Sequence, residues 1–218
     1  MVRVTNISKV FMQGSVRIPA VDHVSFCLAK GETMAIVGPS GSGKTTVLSL
    51  LAGLDRADQG EIEIAGRKLS QLSESELSHF RGQNMGIVFQ QFHLMPHLSA
   101  LENVQLPLDI IRASNSRDKA LASLAQVGLA ERVTHLPHQL SGGECQRVAI
   151  ARAAVVEPLI LFADEPSGNL DSETGGKVTE LLFDMVARRN MTLILVTHDE
   201  VLASRCHRIQ RIQGGRFQ

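Results

Sequence analysis

The chain has 218 residues, enough for one large domain with a buried core, and its 22 lysines and arginines balance 22 aspartates and glutamates. Zero net charge, with no Trp and no Tyr, excludes the basic, aromatic-rich footprint expected of a nucleic-acid-binding protein. Cys27, Cys145 and Cys206 stand apart in the sequence, which excludes a disulfide framework and a paired metal or redox motif.

The N-terminal stretch "MVRVTNISKVFMQG" lacks the apolar core of a signal peptide, and no apolar run approaches the ~20 residues that span a bilayer. The expected location is the cytosol, with any membrane role supplied by a partner. The first thirty residues alternate as half-buried antiparallel strands do: Val24, Phe26 and Leu28 face one way, Ser25, Cys27 and Ala29 the other. "TMAIVG" is instead continuously apolar, which suits a strand covered on both faces of a parallel sheet.

Directly after that run, Gly38-Pro39-Ser40-Gly41-Ser42-Gly43-Lys44-Thr45 fits the pattern G-x-x-x-x-G-K-[ST]. The helix-like "TTVLSLLAGL" follows, with Gly53 placed to end it. Glycines let the backbone curl so that several N–H groups converge on phosphate, Lys44 reaches the β- and γ-oxygens, and Thr45 offers a hydroxyl to Mg²⁺. Residues Gly38 to Thr46 are therefore expected to bind a nucleoside triphosphate. Further on, "GEIEIAG" alternates again, and "SESE" at Ser73 to Glu76 is a capping-box pattern opening a short helix. Gln90 ends the strand-like "MGIVF"; its amide could bind Mg²⁺ and orient water, or be an ordinary surface group.

Between about residues 91 and 158 no strand-like run appears, and helical patterns such as "SRDKALASLAQVGLAERV" dominate. This stretch reads as a helical subdomain inserted into an α/β core made of residues 1–90 and 159–218. Near its end, Ser141, Gly142 and Gly143 open a helix and are expected to present bare backbone N–H groups to an anion. That is a second phosphate-binding element in a chain that already has one. "LILFADEP" then carries Asp164 and Glu165 to the tip of a buried strand, where one acid can hold Mg²⁺ through water and the next can polarise an attacking water. "TLILVTHD" sets His198 just past another buried strand, at the carboxyl ends where open α/β sheets bind ligands. The fold class is α/β: a mostly parallel sheet, an antiparallel N-terminal portion and a helical insertion.

Taken in order, the P-loop, Gln90, "LSGGE", "LFADEP", "GNLD" and His198 resemble the ATP-binding-cassette (ABC) ATPases, and the resemblance covers essentially the whole chain. It implies a P-loop NTPase that binds ATP and Mg²⁺ and hydrolyses ATP. Lys44 and His198 would contact the γ-phosphate, Glu165 would be the general base, and Thr45, Gln90 and Asp164 would serve the metal. Gln90 would also face a membrane partner. Phe11, in "SKVF", stands where relatives carry the aromatic that stacks on adenine, usually Tyr. Asp171 would lie in the D-loop, at the contact between two copies. Ser141, Gly142, Gly143 and Glu144 would form the signature that caps ATP held by a second copy, so the two phosphate elements belong to two sites of a homodimer.

Glu144 replaces the consensus Gln, while Cys145 and Ser167 are minor departures; none touches Lys44, Asp164, Glu165 or His198, so active hydrolysis is expected. "FQQFHLMPHLSALENVQLPL" and "LSGGECQRVAIARA" are similar to the lipoprotein-release, macrolide-efflux and FtsE-like branch. That branch implies integral-membrane permease subunits, a place on the cytoplasmic face of the inner membrane, and force transmission across it. Its FtsE-like members offer an alternative, an ATPase that regulates cell-wall machinery through a permease-like partner without moving a substrate.

Overall fold

The computed structural model describes residues 1–218, the side chain of Gln13 excepted. Its strands are β1 (Val2–Gln13), β2 (Val16–Leu28), β3 (Thr33–Val37), β4 (Gln59–Ile64), β5 (Arg67–Lys68), β6 (Met85–Val88), β7 (Ile160–Asp164), β8 (Thr192–Thr197), β9 (Arg208–Gln213) and β10 (Arg216–Phe217). Its helices are α1 (Lys44–Leu51), α2 (Glu74–Asn84), α3 (Ala100–Ile110), α4 (Ser116–Gln126), α5 (Gly142–Ala154), α6 (Ser172–Arg188) and α7 (Glu200–Ala203). Packing groups the chain into two units, residues 1–78 with 192–218, and residues 79–191.

The first unit holds two sheets. One is antiparallel in the order β2-β1-β4-β5. Its β2 keeps the alternation seen in the sequence, with Val24, Phe26 and Leu28 buried and Ser25, Cys27 and Ala29 exposed. The other places β3 parallel to both β8 and β9, with β10 closing an antiparallel hairpin on β9. Every residue of β3 and β8 is buried, which is why their runs are apolar throughout rather than alternating. The mixed sheet thus matches the expected parallel core, and the antiparallel sheet matches the expected N-terminal portion.

The second unit pairs β6 parallel to β7 and surrounds them with helices. Between Val88 and Ile160 the described residues form no strand, only α3, α4, α5 and two 3-10 turns. Helix α5 packs against α3, α4, α6 and β6. Its buried side is rich in small side chains, among them Ala149, Ala151, Ala153 and Ala154, which lets neighbouring backbones approach closely. Because α5 rests on both β6 and α6, these elements belong to the same packing unit as the helices at 91–158. In α6, Val178, Leu182, Met185 and Val186 are buried at helical spacing, each worth ~1.5–3 kcal/mol relative to exposure.

Candidate functional site

In the first unit, the loop Gly38–Gly43 joins the end of β3 to the start of α1. The glycines are there for space: a Cβ on Gly38 would lie 2.2 Å from the Ile212 carbonyl oxygen on β9. Lys44 is 9% exposed, and its Nζ donates to the carbonyls of Gly38 (2.8 Å) and Pro39 (2.9 Å). Two carbonyl dipoles thus face a nearly buried charge. Ser42 Oγ is buried and lacks a partner. Helix α1 begins after Gly43 in the left-handed region, φ 103°, with no side-chain cap and no acid in its first turn. By contrast α3, α5, α6 and α7 are capped by Ser99, Ser141, Asp171 and Asp199. A nearly buried cation held by carbonyls, an orphaned hydroxyl and a helix start with neither cap nor acid (α4, also without a side-chain cap, carries Asp118 in its first turn) together fit a polyanion such as a triphosphate. Pro39, Ser40, Gly41 and Thr45 are exposed beside them, and Thr46 is half-buried.

Register brings His198 to the same end of the sheet. Val37 pairs with Thr197 in the parallel ladder, so Gly38 and His198 leave adjacent strands at their carboxyl ends. His198 is exposed there, and Asp199 beside it caps α7 through the N–H groups of Val201 (2.8 Å) and Leu202 (3.1 Å). Phe11 sits on β1, 43% exposed, with Lys9 Nζ 5.5 Å from its ring centroid.

The second unit repeats the arrangement with different chemistry. Val88 pairs with Ala163, so Gln90 and the acids Asp164 and Glu165 follow adjacent parallel strands at one end. Asp164 and Glu165 are half-buried, and Glu165 has φ 46°, held by a turn in which Gly168 N–H donates to its carbonyl (2.9 Å). Gln90 is exposed and locked to the segment after the acids. Its Nε2 donates to Asn169 Oδ1 (3.2 Å), and Asn169 Nδ2 donates to the Gln90 carbonyl (2.9 Å). Asp171 accepts from Thr174 N–H (3.0 Å) at the start of α6 and is held below the usual carboxylate range chiefly by that bond. Gly143 packs on Thr174 so tightly that a Cβ there would lie 2.4 Å from the Thr174 methyl. Gln90, the acid pair, Asp171 and the signature thus meet within one unit.

The start of α5 carries a capping box that occupies the N–H groups of Ser141 and Glu144, on either side of Gly142 and Gly143. Glu144 folds back as the far end of a capping box: its Oε2 accepts from both the N–H and the hydroxyl of Ser141 (each 2.8 Å), while Glu144 N–H donates to Ser141 Oγ (3.3 Å). A second group holds the same carboxylate, Arg132 Nε at 3.0 Å from Oε1. The Ser141 N–H, then Arg132 and the Ser141 hydroxyl, pull the Glu144 carboxyl down to about 2. The box is legible in the sequence, because Ser141-x-x-Glu144 is the same S-x-x-E pattern as Ser73 to Glu76, whose box also forms.

Three further residues shape this unit. Arg152 on α5 reaches under the segment after Gln90 and donates to the carbonyls of Phe92 (2.8 Å) and His93 (2.6 Å). Gln146 on α5 is fully buried and donates to the Phe89 carbonyl (3.3 Å). Asn103, also fully buried, accepts from Met95 N–H (2.8 Å) and donates to the carbonyls of Met95, Leu98 and Ser99. Both Gln146 and Asn103 are polar residues at apolar helix positions, which is the signal that could have found them.

Comparison with known proteins follows the same lines. The family model described as "ABC transporter" matches residues 21–168. An uncharacterized ABC transporter ATP-binding protein of Escherichia coli K12, YbbA, is 47% identical over 220 residues, covering 100% of this chain and 96% of the relative. The lipoprotein-releasing system ATP-binding protein LolD of Bdellovibrio bacteriovorus is 46% identical over 218 residues, covering 99% of each. Among solved structures, the ATP-binding cassette MJ0796, in a dimeric post-hydrolysis state bound to ADP and Pi, superposes with a TM-score of 0.93. It is 40% identical, with 100% of this chain and 97% of that one covered. Motifs, fold and relatives agree: the chain belongs to the ABC transporter family, as an ATP-binding and ATP-hydrolysing subunit.

Proposed function

We propose that two copies of this chain close over two ATP molecules and drive an integral-membrane permease from the cytoplasmic face of the inner membrane. The observation that carries the nucleotide half of this reading is the nearly buried, carbonyl-held Lys44 beside the orphaned Ser42 hydroxyl and the uncapped start of α1. Lys44 gives up its carbonyl acceptors for the β- and γ-phosphates, and the backbone N–H groups of Gly38 to Thr46 cradle them. His198 holds the γ-phosphate, and Phe11 stacks on the adenine.

Thr45, Gln90 and Asp164 offer a hydroxyl, an amide oxygen and a carboxylate, the hard oxygen donors that suit Mg²⁺. When bound, Mg²⁺ neutralises charge on the phosphate oxygens. Glu165 takes a proton from the attacking water. Ser141, Gly142, Gly143 and Glu144, carried on the helical subdomain of residues 91–158, complete the site of the other copy, with Asp171 at the interface between the two. The dimeric MJ0796 cassette supports the two-copy arrangement, and the relative named for lipoprotein release supports a cargo among lipoproteins or other envelope components. Among the described residues no helix is long and apolar enough to cross a membrane.

Glu165→Gln tests the reading. The variant should bind ATP, lose ~10²–10³ of its turnover and accumulate as an ATP-bound dimer in light scattering. Wild-type hydrolysis in that variant would remove Glu165 from its role. An ATP-dependent dimer that survives Ser141→Arg would remove the shared site.

A further inference from the structure

We propose that Arg132 is a positioning residue for ATP-driven closure, because it neutralises the carboxylate that caps the signature helix. The proposal rests on the reading above in which the signature meets ATP held by a second copy. Three S-x-x-E capping boxes occur in this chain, at Ser73/Glu76, Ser99/Glu102 and Ser141/Glu144, and their hydrogen bonds are nearly identical. In the first two, serine alone holds the carboxylate at hydrogen-bond distance among the described residues. The third adds Arg132, whose Nε donates to the remaining oxygen of Glu144 at 3.0 Å.

The difference follows the task of each helix. A carboxylate at a helix start is favourable by itself, as at α2 and α3, where Arg67 acts on Glu76 and Arg117 and His97 act on Glu102 only through space. At α5 the same charge would stand against the incoming γ-phosphate, and like charges a few ångströms apart repel strongly where water is displaced. The Ser141 hydroxyl is also committed to Glu144. Arg132 lies at the end of a 3-10 turn (Ala130–Arg132) that follows α4, and its own backbone fixes that turn through Arg132 N–H to Leu129 O (3.0 Å) and His135 N–H to Arg132 O (3.0 Å). Removing the side chain leaves this backbone and the Ser141–Glu144 box in place. It leaves the carboxylate uncompensated.

The experiment measures ATP-dependent dimerisation by light scattering in the Glu165→Gln background, across ATP and NaCl concentrations. Adding Arg132→Ala should raise the half-saturating ATP concentration about three- to tenfold at low salt, with the difference shrinking as salt screens it. Arg132→Lys should recover most of the loss. Adding Glu144→Gln should lower the ATP requirement, since Gln keeps the capping box without the charge. Arg132→Ala with Glu144→Gln should return close to the background value.

An Arg132→Ala effect that is absent, that ignores salt, or that persists unchanged with Glu144→Gln would overturn the proposal. Ser141→Arg serves as the separate control. A dimer that still forms with Ser141→Arg, or a background that forms none, would overturn the shared-site reading itself, whatever Arg132 does.

Discussion

Gly43 lies so close to Ala20 that a Cβ on the glycine would sit 2.2 Å from the Ala20 carbonyl oxygen. The glycine also has φ 103°, a conformation that L side chains rarely adopt. Its place is fixed from the far end of the chain as well, because Gly215 N–H donates to the Ser42 carbonyl (3.1 Å) and Asp22 N–H to the Gly215 carbonyl (2.8 Å). Gly43→Ala therefore has nowhere to relax. It should lower stability by at least ~2 kcal/mol in urea unfolding and abolish ATP binding measured by fluorescent-nucleotide titration. Normal affinity in a fully folded variant would refute the steric argument.

Arg152 is a half-buried cation whose acceptors are two backbone carbonyls, those of Phe92 and His93. Burial pulls its pKa below the usual arginine value, yet the group stays charged at any working pH. Arg152→Met keeps the stem and removes the donors, leaving both carbonyls to find water. The expected cost is about 2 kcal/mol, together with faster amide exchange over residues 91–95. Unchanged exchange there would mean that the loop holds its shape without the arginine.

Asn103 supplies four hydrogen bonds to the turn between Met95 and Ser99 from a fully buried position. Asn103→Ala strands Met95 N–H and the Leu98 carbonyl, while the Met95 and Ser99 carbonyls keep the backbone N–H groups of Leu98 and Asn103, and it should cost ~2–3 kcal/mol. Asn103→Asp should be no better, because it replaces a donor with a second acceptor facing carbonyl oxygens. Thermal melts of the two variants beside the parent check both statements.

Glu144 titrates in the folded chain at about 2, below the ordinary 4.5 of a glutamate. A depressed carboxyl pKa stabilises the fold fully above pH 4.5, and that contribution fades as pH falls from there towards 2. Glu144→Gln lacks this contribution. Its melting temperature should lie below that of the parent at about pH 6, and the gap should narrow steadily between about pH 4.5 and about pH 2.5. A gap independent of pH would show that the charge itself does not hold the signature helix.

What can be read from the sequence is what is local in the chain. The P-loop is legible because its glycines, Lys44 and Thr45 lie within eight positions, between a buried strand and a helix. The alternation of Val24, Phe26 and Leu28 is legible because strand side chains repeat every second residue. Gln90, Asp164 and His198 can be placed at strand ends from the apolar runs before them. Hidden are the relationships that chain folding creates. Gly38 abuts Ile212, and Gly215 bonds Ser42, across more than 170 positions in each case. Arg132 reaches Glu144 only because a turn brings residues twelve apart together. The signature is only partly legible for a different reason. Two adjacent glycines draw attention to exposed backbone, while the Ser141–Glu144 spacing beside them fills part of that backbone.

The uncapped start of α1 has one more consequence. Helices α3, α5, α6 and α7 each carry their own acceptor, whereas α1 waits for acceptors that only a bound phosphate brings. Nucleotide phosphates bound there would act as the cap of α1. A ligand present at 100 times its dissociation constant adds ~2.7 kcal/mol to the folded state. The melting temperature should therefore rise with the concentration of either ATP or ADP.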